Sequence, residues 1–113
     1  MDKLTINLTP HPIRVVGENG YEITYPPSGQ VLRLVETETL LHTDAEGIRF
    51  VRKCYGLPDI NFIQAGKTYI VSLIVIPYLK GITGDFIAPD TGPKSVVRDS
   101  EGKIVGVKGF IVP

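Results

Sequence analysis

Lys67-Thr68-Tyr69-Ile70-Val71-Ser72-Leu73-Ile74-Val75-Ile76 is the stretch on which the fold turns. A near-continuous apolar run bounded by turn residues implies burial on both faces, so it is expected to be the central strand of a sheet. Gly56 to Gly66 precedes it as a connection. Pro77-Tyr78-Leu79-Lys80-Gly81 follows, with proline at the start and glycine at the stop of one expected helical turn, 77–81.

Outward from that run, segments rich in Val, Ile, Thr, Tyr and Phe alternate with turn signals, the pattern of an all-β chain. Lys3 to Leu8 is expected as a first strand, ended where Pro10 and Pro12 bracket His11, since proline donates no ladder hydrogen bond. Ile13 to Val16 and Tyr21 to Tyr25 flank Asn19-Gly20, a strong hairpin signal. Gln30 to Thr37 alternates as a strand, and His42 to Gly47 is polar enough for a loop or hairpin tip. Ile48 to Tyr55 follows as a strand with Cys54 as a small buried filler. Asp85 to Lys94, with Pro89, Gly92 and Pro93, is expected to be an ordered loop. Val96 to Asp99 and Lys103 to Val112 should pair around Ser100-Glu101-Gly102. The expectation is therefore one all-β domain over 1–113, mainly antiparallel, a small β-sandwich or barrel-like fold with at most one short helical turn.

Composition narrows the function classes. The 113 residues are 42% hydrophobic and 21% charged, which is too apolar for a disordered segment. Lys plus Arg (12) balances Asp plus Glu (12), so the basic excess that non-specific nucleic-acid binders use against phosphates is missing. Zero net charge also removes long-range repulsion between copies, and unclosed strand edges favour a homo-oligomer. A single cysteine permits no intramolecular disulfide and no multi-cysteine zinc site. Met1-Asp2-Lys3-Leu4 does not resemble a leader, and the longest apolar run is too short for a bilayer. A cytoplasmic protein without membrane contact is expected.

Seven polar residues stand out as ligand-binding candidates. Asn7, Thr9 and His11 share one phase of an extended segment, placing an amide, a hydroxyl and an imidazole in a row; the competing account is a corner whose side chains satisfy local backbone. Arg98 follows two valines and is either paired internally or poised for an anion. Arg33, in phase with Val31 and Val35, either snorkels to solvent or does the same. Thr91 and Lys94, with the Gly92 amide, could embrace a phosphate. Asp90-Thr91-Gly92 matches the aspartic-protease triplet, but Pro93 and Lys94 follow it, and a cation there would disturb the shared proton. His11 and His42 are the only histidines and lack metal-binding spacing, and no serine sits in a nucleophile elbow. No catalytic residue, metal or cofactor is expected.

Asn7-Leu8-Thr9-Pro10-His11, the Tyr69-Ile70-Val71-Ser72 strand and the closing Val97, Arg98, Asp99, Gly102, Ile104 and Gly106 resemble a group of short phage and prophage proteins of unassigned function. The resemblance spans nearly the full length and implies a viral or prophage origin. Phage genomes encode small proteins that sequester the nucleotide second messengers of bacterial immunity, so by analogy of context such a role fits an orphan domain. The leading expectation is a non-catalytic sponge for a small anionic, nucleotide-type ligand in the host cytoplasm, with Tyr55, Tyr69 or Tyr78 available to stack. The alternatives are a virion structural or assembly protein and a protein–protein inhibitor of a host enzyme.

Overall fold

Among residues 5–113, which the computed structural model describes, the chain forms ten strands and one short 3-10 helix. The strands are β1 (Thr5–Asn7), β2 (Ile13–Val16), β3 (Glu22–Tyr25), β4 (Val35–Thr43), β5 (Arg49–Gly56), β6 (Thr68–Ile70), β7 (Asp85–Pro89), β8 (Val96–Arg98), β9 (Ile104–Val107) and β10 (Phe110–Ile111). They make a four-stranded sheet ordered β1-β6-β7-β10, a second ordered β3-β2-β9-β8, and a separate β4-β5 ribbon. The expected strand-dominated fold is present, but the sheets are mixed, and no barrel closes among the described residues. β1–β6, β6–β7 and β2–β9 are parallel, whereas the hairpin partners are antiparallel. Parallel pairs arise because chain-distant segments, not hairpin neighbours, fill the sheet centres.

Only the first part of the Lys67–Ile76 run is strand. After Ile70 the chain leaves the sheet, and Leu73–Leu79 forms the 3-10 helix, with Val75 and Leu79 buried and Pro77 inside it. Periodicity cannot separate a buried strand from a buried helical turn in so uniform a run. The helical segment expected at 77–81 thus begins earlier, and Gly81 stops it at φ 83°. The expected loop over Asp85 to Lys94 is likewise half strand, since β7 runs through it between β6 and β10 and Pro89 marks its end.

Register explains the core. Ile6, Tyr69 and Phe86 pair across β1, β6 and β7, so they share a face with Leu8 and Val71. The helix and the Leu57–Ile63 connection cover that face and bury Leu8, Tyr69, Val71, Val75, Leu79 and Phe86. Full burial of each such side chain contributes about 1.5–3 kcal/mol. Tyr69 stacks on Phe86, and its hydroxyl accepts the Gln64 amide at 2.8 Å. It is a core residue and unavailable to stack on a ligand.

Both terminal hairpins form as expected. Gly17 and Gly20 close β2–β3, and the Asp99 carboxylate accepts the Glu101 and Lys103 amides under β8–β9. The closing strand breaks at Lys108-Gly109, however, and Phe110–Ile111 crosses to the other sheet against β7. Gly106 sits close against β2: a Cβ there would come 3.0 Å from the Arg14 carbonyl oxygen, so the backbone would have to give by a few tenths of an ångström.

The strand expected over Gln30 to Thr37 is displaced. Gln30 to Leu34 crosses irregularly beside β1, with the Leu32 amide donating to the Leu8 carbonyl, and the regular strand starts at Val35. β4 and β5 then form a long hairpin turned at Asp44, whose carboxylate accepts the Glu46 and Ile48 amides. Every residue of β4, and all of β5 except its last, is exposed. The radius of gyration is 17.8 Å. A compact chain of this length has a radius of about 13 Å, and the projecting arm makes the difference.

Cys54 lies on the arm and is exposed, which corrects the expectation of a buried filler: its strand makes no substantial contact with any element but β4. Cys54→Ala should therefore leave no cavity and change stability by less than about 0.5 kcal/mol. Thermal melting checks this, and a drop of several degrees would show that the thiol is packed.

Candidate functional site

A cleft of ≈ 510 Å³ opens where the arm leaves the body. The corner after β1 supplies Leu8, Thr9 and Pro10, and the crossing segment supplies Val31, Leu32, Arg33 and Leu34. The arm base adds Glu36 and Tyr55, while Ser72, Ile74 and Val75 come from the helical turn. The cleft exists because four non-sequential segments converge there and the apolar side chains of Leu32 and Leu34 anchor the crossing segment.

Its polar equipment is small. Arg33 makes no hydrogen bond or ion pair among the described residues and is exposed at the rim. Glu36 and Tyr55 are register partners across the arm and share a face. The Glu36 carboxylate, by hydrogen bonding and by charge, raises the Tyr55 phenol above its ordinary value, with a smaller contribution from Tyr78. Tyr55 thus stays a neutral donor past ordinary Tyr titration. The cleft therefore carries one cation (Arg33), one carboxylate (Glu36) and the hydroxyls of Thr9, Tyr55 and Ser72 around an apolar floor.

Of the seven residues singled out from sequence, Thr9 and Arg33 line this cleft. Asn7 does not; it is 2% exposed and fully committed. Its Nδ2 donates to the His11 carbonyl at 2.8 Å and the Tyr25 carbonyl at 2.9 Å. Its Oδ1 accepts the Thr9 amide at 2.9 Å and the Thr9 hydroxyl at 2.7 Å. The His11 carbonyl lies within 3.0 Å of the same hydroxyl and competes for its single proton. The row Asn7, Thr9, His11 is thus a hydrogen-bonded corner, held partly by the backbone of His11, whose residue is exposed.

Arg98 sits on β8, an outer strand of the second sheet, and donates from Nη1 to the Gly102 carbonyl at 2.7 Å, bracing its own hairpin. Thr91 and Lys94 lie on the turn after β7, and both are exposed. The Gly92 amide beside them is taken by the Asp90 carboxylate at 3.0 Å, which removes one donor from the phosphate embrace expected there. That turn is tied to Lys108 and Gly109, and neither Thr91, Lys94 nor Arg98 lines the cleft.

Sequence reasoning named Tyr55 without a place for it and missed Glu36, Ser72 and Ile74. Their proximity depends on the arm base and the helical turn, neither of which the apolar pattern locates. A second cavity of ≈ 520 Å³ lies between Lys80–Phe86 and Val112, and it holds none of the seven residues.

No known protein family matches the chain, and no curated protein or solved structure shows significant similarity to it. Among the described residues, no helix is long and apolar enough to cross a membrane, and no three metal-ligating side chains gather.

Proposed function

We propose that this protein is a non-catalytic, phage-derived binding protein that sequesters a small anionic, nucleotide-type ligand in the host cytoplasm. One observation carries the reading: Arg33, free of ion pairs among the described residues, stands with Tyr55 around an apolar cleft floor. Arg33 meets phosphate, Tyr55 stacks on the base, and Thr9 and Ser72 hydrogen-bond at the rim. Thr91, Lys94 and Arg98 lie outside this version of the site.

The test uses purified protein, denatured to release what it carries, and titration calorimetry with linear and cyclic nucleotides. With no Trp and five Tyr, the chain absorbs weakly, so a bound nucleobase shows plainly at its own absorption maximum. The expected result is a released phosphate-bearing nucleotide, or saturable binding of one nucleotide class. No released base and no heat with any nucleotide would sink the reading.

A second reading, a virion assembly protein, draws on the projecting arm. Its signature is this chain in purified particles, at a fixed ratio to the major structural protein.

A further inference from the structure

The cleft holds one charge of each sign, and that pair constrains what fits it. Arg33 and Glu36 both line it, and Glu36 is the one carboxylate among the lining residues. Arg33 forms no ion pair with it among the described residues. A bare phosphate drawn to Arg33 is therefore opposed by a carboxylate in the same cleft. A ligand that uses both groups carries an anionic acceptor at one end and hydrogen-bond donors at the other.

Glu36 is placed to receive such donors. It stands on β4 beside its register partner Tyr55, on one face of the arm base. Side chains so paired leave the backbone about 4.5–5.5 Å apart, so a flat ring laid on Tyr55 turns an edge toward the carboxylate. The Lys53 ammonium comes no closer to Oε1 than 3.6 Å, longer than the roughly 2.7–2.9 Å of a charge-assisted hydrogen bond. A carboxylate offers about four acceptor positions, and the Tyr55 hydroxyl takes one. Capacity remains for two parallel N–H donors.

The nucleobases differ at the edge that would meet it. Guanine presents two adjacent donors, its ring N–H and its amino group, which a carboxylate accepts together. Adenine and cytosine each set a ring nitrogen lone pair beside the amino group, and uracil carries one N–H between two carbonyls. All three turn a lone pair toward the carboxylate. We propose, on the nucleotide reading of this same cleft, that Glu36 selects guanine: its carboxylate accepts the ring N–H and the amino group, Tyr55 lies against the ring, and Arg33 holds the phosphate.

Titration calorimetry with linear and cyclic monophosphates of guanosine, inosine, adenosine, cytidine and uridine reads the selection. Guanosine should bind roughly ten- to a hundredfold more tightly than adenosine, the discrimination of one bidentate pair. Inosine should fall between them, because its base keeps the ring N–H and lacks the amino group. Glu36→Gln should invert the guanine-to-adenine ratio, since an amide presents a donor and an acceptor side by side, the complement of adenine. The ratio is the readout because the lost charge acts on every phosphate alike and cancels. Glu36 is exposed and its contact with Lys53 is loose, so the variant should melt within about two degrees of wild type. Nucleotide binding without a guanine preference, or a ratio unmoved by Glu36→Gln, overturns the selection and leaves the nucleotide reading standing. No binding by any of them overturns both.

Discussion

Asn7→Ala is expected to lower folding stability by about 3 kcal/mol and the melting temperature by roughly 12–20 °C. The Asn7 side chain leaves β1 at the face it shares with its register partner Ile70, and both are buried. From there its amide holds the Tyr25 carbonyl at the end of β3 and the His11 carbonyl before β2, while its oxygen holds the Thr9 amide. One side chain therefore ties the first sheet to the entry and exit of the second. Alanine removes the Asn7 partner of the Tyr25 carbonyl and of the Thr9 amide, while the His11 carbonyl keeps the Thr9 hydroxyl at 3.0 Å; each lost partner costs about 1–3 kcal/mol where water does not reach. Water entering the corner recovers part of this, which sets the expected value below the simple sum. Asn7→Asp should also be destabilising, since a carboxylate cannot donate to the two carbonyls. Paired thermal melts check the prediction, and an Asn7→Ala protein melting within a few degrees of wild type would show that the corner is held elsewhere.

That corner also shows what is legible in the sequence. Asn, Thr and His in one phase, with prolines on either side of the His, signal that something other than core packing occupies the site. Sequence leaves open whether these residues face a ligand or one another, because the answer depends on the Tyr25 carbonyl, 18 positions away. Hairpins at Asn19-Gly20 and Ser100-Gly102 are legible because their turn chemistry is local. The partners of β1, β6, β7 and β9 are not, since parallel pairing joins chain-distant segments without a local signature. The arm misleads for a different reason: its Val, Leu, Phe and Tyr residues give the pattern of a buried strand. That pattern implies burial for Cys54, yet the hairpin has no layer of its own chain to pack on among the described residues.

Arg33→Ala is expected to weaken a nucleotide-type anion ten- to a hundredfold, about 1.5–3 kcal/mol, the value of a hydrogen bond to a charged group. Stability should not change, because Arg33 is exposed and holds no partner among the described residues. Arg33→Lys should recover part of the affinity, keeping the charge but losing the planar two-donor geometry. Glu36→Gln should act oppositely and tighten the anion, since it removes the one carboxylate lining the cleft and with it the effect that raises the Tyr55 phenol. Arg98→Ala is the control, because its guanidinium braces the Gly102 carbonyl on an outer strand and does not line the cleft. Calorimetric titration at two salt concentrations separates these outcomes, as a lost charge contact weakens the salt dependence as well as the affinity. If Arg98→Ala abolishes binding while Arg33→Ala binds as wild type does, the anion sits at the β8–β9 hairpin and the cleft is not its site.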